Sequence, residues 1–220
     1  MFKTLNHSGK DIGHIFKGKD YVVFFGNCNS NLEILQSTFP DWEFLGLKQV
    51  HSSIWTKAQK LPTEADAHFT SKVKKALYIK TADCIPIVLA MPDFIAAIHA
   101  GWKGISKGIL TTGPINFNGA NAYIGPHISC YSFEVGHEVI KKLMKAPVLS
   151  EYPRTEFCVD HPNSNKSYVH LAKMAQYQLQ KFGVIKIEQF DKNTFNNLDY
   201  YSYRRDGSSS RRQISFIVRI

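Results

Sequence analysis

The sequence predicts an α+β fold, a single-domain sandwich spanning 1–220 around a mixed β-sheet. Three observations lead there. Short runs rich in β-branched and aromatic residues recur along the chain, helical periodicity is confined to a few stretches, and the two kinds are mixed without strict alternation. At 220 residues with 44% hydrophobic content, the chain can bury a real core within the usual domain length of about 100–200 residues. No repeat, low-complexity tract or long Pro/Gly/Ser linker divides it.

Strands are predicted at residues 21–25, 76–79, 85–90, 94–98 and 214–218, each short, apolar and rich in residues that suit a pleated surface. Pro92-Asp93 lies between two of them, so a turn joining antiparallel neighbours is expected there. The clearest helix follows Ser167, read as its N-cap: Leu171, Ala175 and Leu179 recur at four-residue intervals until Gly183 stops the run. A second helix is expected at 135–143. A third is expected at 101–110, weakened by its three glycines. Residues 147–167, with Pro153, Pro162, Asn163 and Asn165, read as a long surface loop.

Composition excludes several classes. No run approaches the roughly 18 apolar residues of a membrane span, and the start MFKTLNHSGKDIGH lacks the basic-then-apolar pattern of a secretion signal, so a cytoplasmic protein is expected. Cys28, Cys84, Cys130 and Cys158 form no C-x-x-C pair, which argues against a disulfide framework or a zinc finger. The formal charge of +9 is spread over scattered lysines, with only short clusters such as Lys72, Lys74 and Lys75, which speaks against a nucleic-acid surface.

Three segments set a metal-ligating side chain beside a strand end: Lys48-Gln49-Val50-His51, Thr81-Ala82-Asp83-Cys84 and His99-Ala100-Gly101-Trp102. Two imidazoles and a thiolate suit zinc or copper, and three protein ligands leave one position for water or substrate. Spacing alone leaves the plainer alternative standing, a core cysteine and two ordinary histidines. Asp83 is the acid/base candidate. It shares a site with Cys84 only if the chain bends between them, and it equally suits a turn or cap. Cys130 is a reserve ligand candidate with nothing beside it to activate the thiol. Tyr201-Ser202-Tyr203-Arg204-Arg205-Asp206-Gly207 joins aromatic faces to guanidinium groups, a pairing that stacks a base and grips phosphate, or that makes a solvated basic turn. A helix beginning near Gly101 would add backbone N–H donors for an anion.

Taken in order, KQVH, TADCIPI, HAGWKG, the pair IGPHIS and YSFEVG, and YSYRRDG resemble the YfiH family. Its members are variously described as laccase-domain or polyphenol-oxidase-like proteins and as purine nucleoside phosphorylases. The resemblance runs from residue 45 to residue 220. It implies an α/β sandwich binding zinc, or alternatively copper, through His51, Cys84 and His99. With that centre in place, catalysis is expected of Asp83, Cys84 and His99, and substrate contacts of Gln49, Lys103, Tyr203, Arg204 and Arg205. The implied reaction is phosphorolysis of adenosine, inosine or methylthioadenosine, with adenosine deamination beside it; the partners are purine nucleoside and phosphate. The alternatives attached to the family are a copper-dependent phenol oxidase and a Cys–His amide hydrolase or peptidoglycan-precursor editing enzyme. A metal-binding protein without catalysis is a further one. The chain departs from the family pattern in its shortened region 1–44, which lacks the usual arginine. It also has Lys103 in place of an arginine, Ala175 in place of an asparagine, and Asn193-Thr194 in place of a Cys-Thr pair.

Overall fold

The apolar runs pair into strands, and the computed structural model describes residues 1–163 and 165–220. In chain order the strands are β1 (Lys3–His7), β2 (Lys10–Lys17), β3 (Tyr21–Gly26), β4 (Glu43–Leu45), β5 (Trp55–Lys57), β6 (Ala67–Thr70), β7 (Lys75–Thr81) and β8 (Ile85–Ala90). They continue with β9 (Ile95–Ala100), β10 (Asn121–Ile124), β11 (Glu134–Gly136), β12 (Cys158–Asp160), β13 (Lys166–Val169), β14 (Lys186–Gln189) and β15 (Gln213–Arg219). The α-helices are α1 (Leu32–Thr38), α2 (Trp102–Ser106), α3 (His137–Met144), α4 (Leu171–Lys181) and α5 (Tyr203–Asp206).

Two six-stranded sheets stack face to face, in the orders β1-β2-β3-β15-β7-β4 and β14-β10-β8-β9-β6-β5. Both are mixed: β4–β7, β5–β6 and β10–β14 run parallel, and the other pairs are antiparallel. The α+β sandwich is therefore as the sequence predicts, with two sheets rather than one. Between them lies an apolar layer formed by Val23, Leu77, Ile79 and Ile217 on one side and Val88, Ile95, Ala97 and Tyr123 on the other. The outer face of the first sheet packs Phe24, Phe216 and Val218 against Leu35 of α1. The outer face of the second packs Ile87, Leu89 and Ile98 against Ile105 of α2, Ile140 of α3 and Met174 of α4. The central strands of these sheets are thus buried on both faces, which is why they read as continuous apolar runs rather than alternating ones.

All five predicted strands form, and β8 and β9 join through Pro92-Asp93, where Met91 N donates to Phe94 O. Three expectations need correction. Ser167 does not cap a helix. It is a buried residue of β13, paired with Val135 and Asp160, and α4 begins four residues later after His170. Residues 147–167 are not a plain loop, since β12 and β13 extend β11 into a small three-stranded sheet. The helix expected at 101–110 stops at Ser106, and Gly108, in the left-handed region at φ +78°, turns the chain out of it. Among the described residues no helix is long and apolar enough to cross a membrane.

Phe216 is fully buried at the centre of an aromatic group, its ring 5.0 Å from Phe24 and close to Phe39, Trp42 and Phe44. Phe216→Ala is expected to lower unfolding stability by about 3–5 kcal/mol, read from urea denaturation with an unchanged slope.

Candidate metal centre and its pocket

Adjacent strands bring the candidate ligands together. The β7–β8 connection is only Ala82-Asp83-Cys84, and Asp83 takes φ +83°, so the chain bends sharply there. In the β8–β9 ladder Pro86 faces His99 and Ile85 faces Ala100, which leaves Cys84 beside Gly101. That glycine is required by close approach: a Cβ on Gly101 would lie 2.9 Å from Cys84 Sγ. His51 arrives on the loop before β5, itself in the left-handed region at φ +58°. The ligand atoms of His51, Cys84 and His99 lie within 4.8 Å of one another, and the two imidazole rings meet edge to face with centroids 4.8 Å apart.

One residue that sequence reasoning missed organises this trio. Asp66, immediately before β6, is fully buried. Its Oδ1 accepts from His99 Nδ1 at 2.7 Å and from His51 N at 3.0 Å, and its Oδ2 accepts from Ser52 N and Ser52 Oγ. Burial opposes its charge, but the bonds from His99 and Ser52 outweigh burial and hold the carboxyl down at about 2. An ionised Asp66 makes His99 Nδ1 the donor and leaves Nε2 for the cluster. Because the folded pKa is depressed, this contribution to stability is complete above the ordinary carboxylate range and lost as pH falls through it toward 2. Nothing in the local sequence Thr63-Glu64-Ala65-Asp66 marks this aspartate out; only the pairing of β6 with β9 reveals it.

Burial alone would raise the Cys84 thiol, yet the charge of His99 and hydrogen bonds from His51 and His99 bring it down to about 6. Burial alone would lower His99, yet Cys84 and Asp66 raise it to about 9. A thiolate and two imidazoles at this separation fit one zinc or copper ion, whose ligand bonds are about 2.0–2.3 Å long. Among the described residues this trio is the only group of three His, Cys, Asp or Glu side chains close enough to share an ion.

The trio opens on a pocket of about 820 Å³, lined also by Gln49, Lys80, Asp83, Trp102, Lys103, Phe133, Tyr203, Arg204 and Arg212. Gln49 is committed to the fold: its amide donates to Lys80 O and accepts from Lys80 N, pairing with β7 as a strand would. Asp83 is likewise engaged. Its Oδ1 accepts from Thr194 Oγ1 and its Oδ2 from Arg204 N, so it docks the start of α5 onto the Cys84 loop. Arg205, expected at the substrate, is not in the pocket. Its guanidinium donates to Thr194 O, Phe195 O, Tyr200 O and the Asp206 carboxylate, which exhausts its donors inside the fold. Two other arginines line the pocket, Arg204 and also Arg212, a second residue that sequence reasoning missed, with its guanidinium 5.7 Å from the Tyr203 ring centre. Arg204 stands 5.7 Å over Phe133, and Lys103 lies 5.9 Å from Trp102. Ala175 lies on the buried face of α4 and Asn193 braces Ser129 and Ser132, so neither departure touches the pocket. Cys130 is buried away from the trio, and burial raises its thiol to about 11.

Residues 26–220 match the family described as multi-copper polyphenol oxidoreductase laccase. A purine nucleoside phosphorylase of Haemophilus influenzae is 31% identical over 177 residues, covering 75% of this chain and 70% of its own length. The Escherichia coli purine nucleoside phosphorylase YfiH is 29% identical, with 96% of this chain and 83% of that protein aligned. The counterpart from Rickettsia prowazekii is 28% identical, with 92% and 85% aligned. The fold is shared with a Neisseria meningitidis protein at a TM-score of 0.82, 24% identity and 99% and 98% coverage. It is shared also with YlmD from Geobacillus stearothermophilus at a TM-score of 0.80, 20% identity and 91% and 92% coverage.

In metal-free protein, alkylation of Cys84 by iodoacetamide is expected to rise with pH through a midpoint near 6, while Cys130 stays unreactive until far higher pH. Peptide mass spectrometry across a pH series checks this. A Cys84 midpoint at the ordinary thiol value of about 8.5 would show that the histidines do not stabilise its thiolate.

Proposed function

The chain belongs to the family described as multi-copper polyphenol oxidoreductase laccase, and from that premise we propose that it is a metal-dependent purine nucleoside phosphorylase. The single observation that carries this reading is the pocket wall. Beside the His51–Cys84–His99 trio stand three aromatic faces, Trp102, Phe133 and Tyr203, each with a cation over it, and among the described residues the one lining carboxylate, Asp83, is already hydrogen-bonded. Aromatic faces stack a planar base, and Lys103, Arg204 and Arg212 supply the positive charge that a phosphate dianion needs. Relatives at 28–31% identity carry the name purine nucleoside phosphorylase, in agreement with that chemistry.

In this reading phosphate attacks the anomeric carbon of the nucleoside as the bond to the base breaks. Lys103, Arg204 and Arg212 hold the phosphate, and Phe133 and Tyr203 hold the base, so that the reacting atoms are aligned before the bond changes. His51, Cys84 and His99 would hold zinc or copper, which supplies Lewis-acid polarisation of a substrate oxygen when bound. Asp83 acts through position, fastening Arg204 and Tyr203 to the loop that carries Cys84. Lys103 in place of an arginine offers a point charge rather than a planar fork, so phosphate is held with less directional constraint at that corner. A phenol oxidase reducing oxygen by four electrons would need several coppers, and the described residues offer one three-ligand site.

One observation favours a second reading. Cys84, His99 and Asp66 also form a thiolate–imidazole–carboxylate relay, the arrangement of a cysteine amide hydrolase. Elemental analysis of untagged protein separates the two. About one zinc or copper per chain, lost in both Cys84→Ala and His99→Ala, is expected, together with phosphate-dependent release of base from inosine, adenosine or methylthioadenosine. Folded wild type that binds no metal, releases no base and cleaves amides would transfer the site to the hydrolase reading. Adenosine is followed for ammonia as well, to detect deamination at the same site.

A further inference from the structure

Among the described residues, eight buried side-chain atoms lack a hydrogen-bond partner, and five of them gather in the layer between the two sheets, directly behind the metal trio. They are both ring nitrogens of His68, Thr81 Oγ1, Gln213 Nε2 and Ser215 Oγ. None of these four residues is more than 1% exposed.

Their common placement follows from strand alternation, which sends every second side chain to the same face. Leu77 and Ile79 of β7 and Ile217 of β15 point into the inter-sheet core. Thr81, Gln213 and Ser215 therefore share that face, with Gln213 opposite Thr81 and Ser215 opposite Ile79. Across the layer, His68 of β6 lies opposite Ala97 of β9, another inter-sheet residue. One step further along, His99 of β9 stands opposite Asp66, the residue just before β6. The layer is thus apolar through most of its extent and polar where it meets the metal site.

A buried polar atom without a partner carries the whole cost of leaving water, and four such residues side by side point to a ligand between them. Its chemistry is set by what they offer. The serine and threonine hydroxyls each donate and accept, and the glutamine amide donates. Burial depresses His68 to about 3, opposed only by an approach of the ring to the Tyr78 backbone that falls short of hydrogen-bond geometry, so the neutral ring still has one donor and one acceptor to satisfy. The charged groups nearest the layer, Asp66 and His99, are bonded to each other. A balanced set of neutral donors and acceptors suits water rather than a cation or an anion, and buried waters characteristically make about three such bonds.

We propose that the inter-sheet layer behind Cys84 and His99 is a buried water site, in which ordered waters bridge Thr81, Gln213, Ser215 and His68. The site fastens two segments that shape the pocket. Thr81 ends β7 just before the Cys84 loop, and Gln213 accepts from Tyr201 N, at the entry to the segment bearing Tyr203 and Arg204. It is independent of which substrate the pocket takes.

The test joins a crystal structure of the wild type, at a resolution that shows ordered water, to the melting temperatures of Thr81→Val and Ser215→Ala. Two or more waters bonded to these side chains, with a lower Tm in both variants, are expected, since deleting a hydroxyl strands the waters it held. A dry layer, or a Tm that is unchanged or raised because an unpaired hydroxyl has been removed, overturns the proposal.

Discussion

The arrangement around the metal trio depends on a carboxylate that never meets solvent. Asp66 fixes His99 through its ring and His51 through its backbone, so one side chain sets the position of both imidazoles. These histidines come from distant parts of the chain, one on β9 and one on an exposed loop, and without a shared anchor the loop would be free to carry His51 away. Ser52, bonded to Asp66 through both its backbone and its hydroxyl, locks the turn that follows. The anion is tolerated in the interior because each of its oxygens accepts at least two hydrogen bonds, the condition on which a buried charge is stable.

The same anchor shapes the electrostatics. Asp66 favours charge on His99, and charged His99 favours the Cys84 thiolate, which is the form that binds a metal or acts as a nucleophile. The two functional readings therefore share one physical origin and differ in whether the thiolate faces an ion or a carbonyl carbon. Around this centre the pocket is basic and aromatic, and the acidic group within it, Asp83, is spent on holding α5. Anionic and planar ligands are favoured by subtraction as much as by attraction.

Much of the fold was legible in the sequence because its central strands are buried on both faces, and continuous apolar runs as short as Ile85–Ala90 and Ile95–Ala100 fit a doubly covered strand better than a helix. Ser167 misled because a small hydroxyl residue before a periodic run satisfies the local rule for a helix cap, while its actual role is set by cross-strand partners that local sequence does not name. In the candidate site, the three ligand types were visible as motifs beside strand ends, but their supporting residues were not. Asp66 gains its meaning only from the β6–β9 pairing. Arg205 and Arg212 illustrate the same limit: both are arginines in a basic C-terminal stretch, and only the folded path shows that backbone carbonyls absorb the first while the second reaches the pocket.

If Asp66 assembles the metal centre, weakening its grip must weaken metal binding, and chelator competition for zinc measures that. Asp66→Asn keeps the shape of the side chain but can no longer accept hydrogen bonds from both the His99 ring and the Ser52 amide. The folded variant is expected to bind zinc about 10–100-fold more weakly than wild type. An unchanged zinc affinity in that folded variant would contradict that role of Asp66.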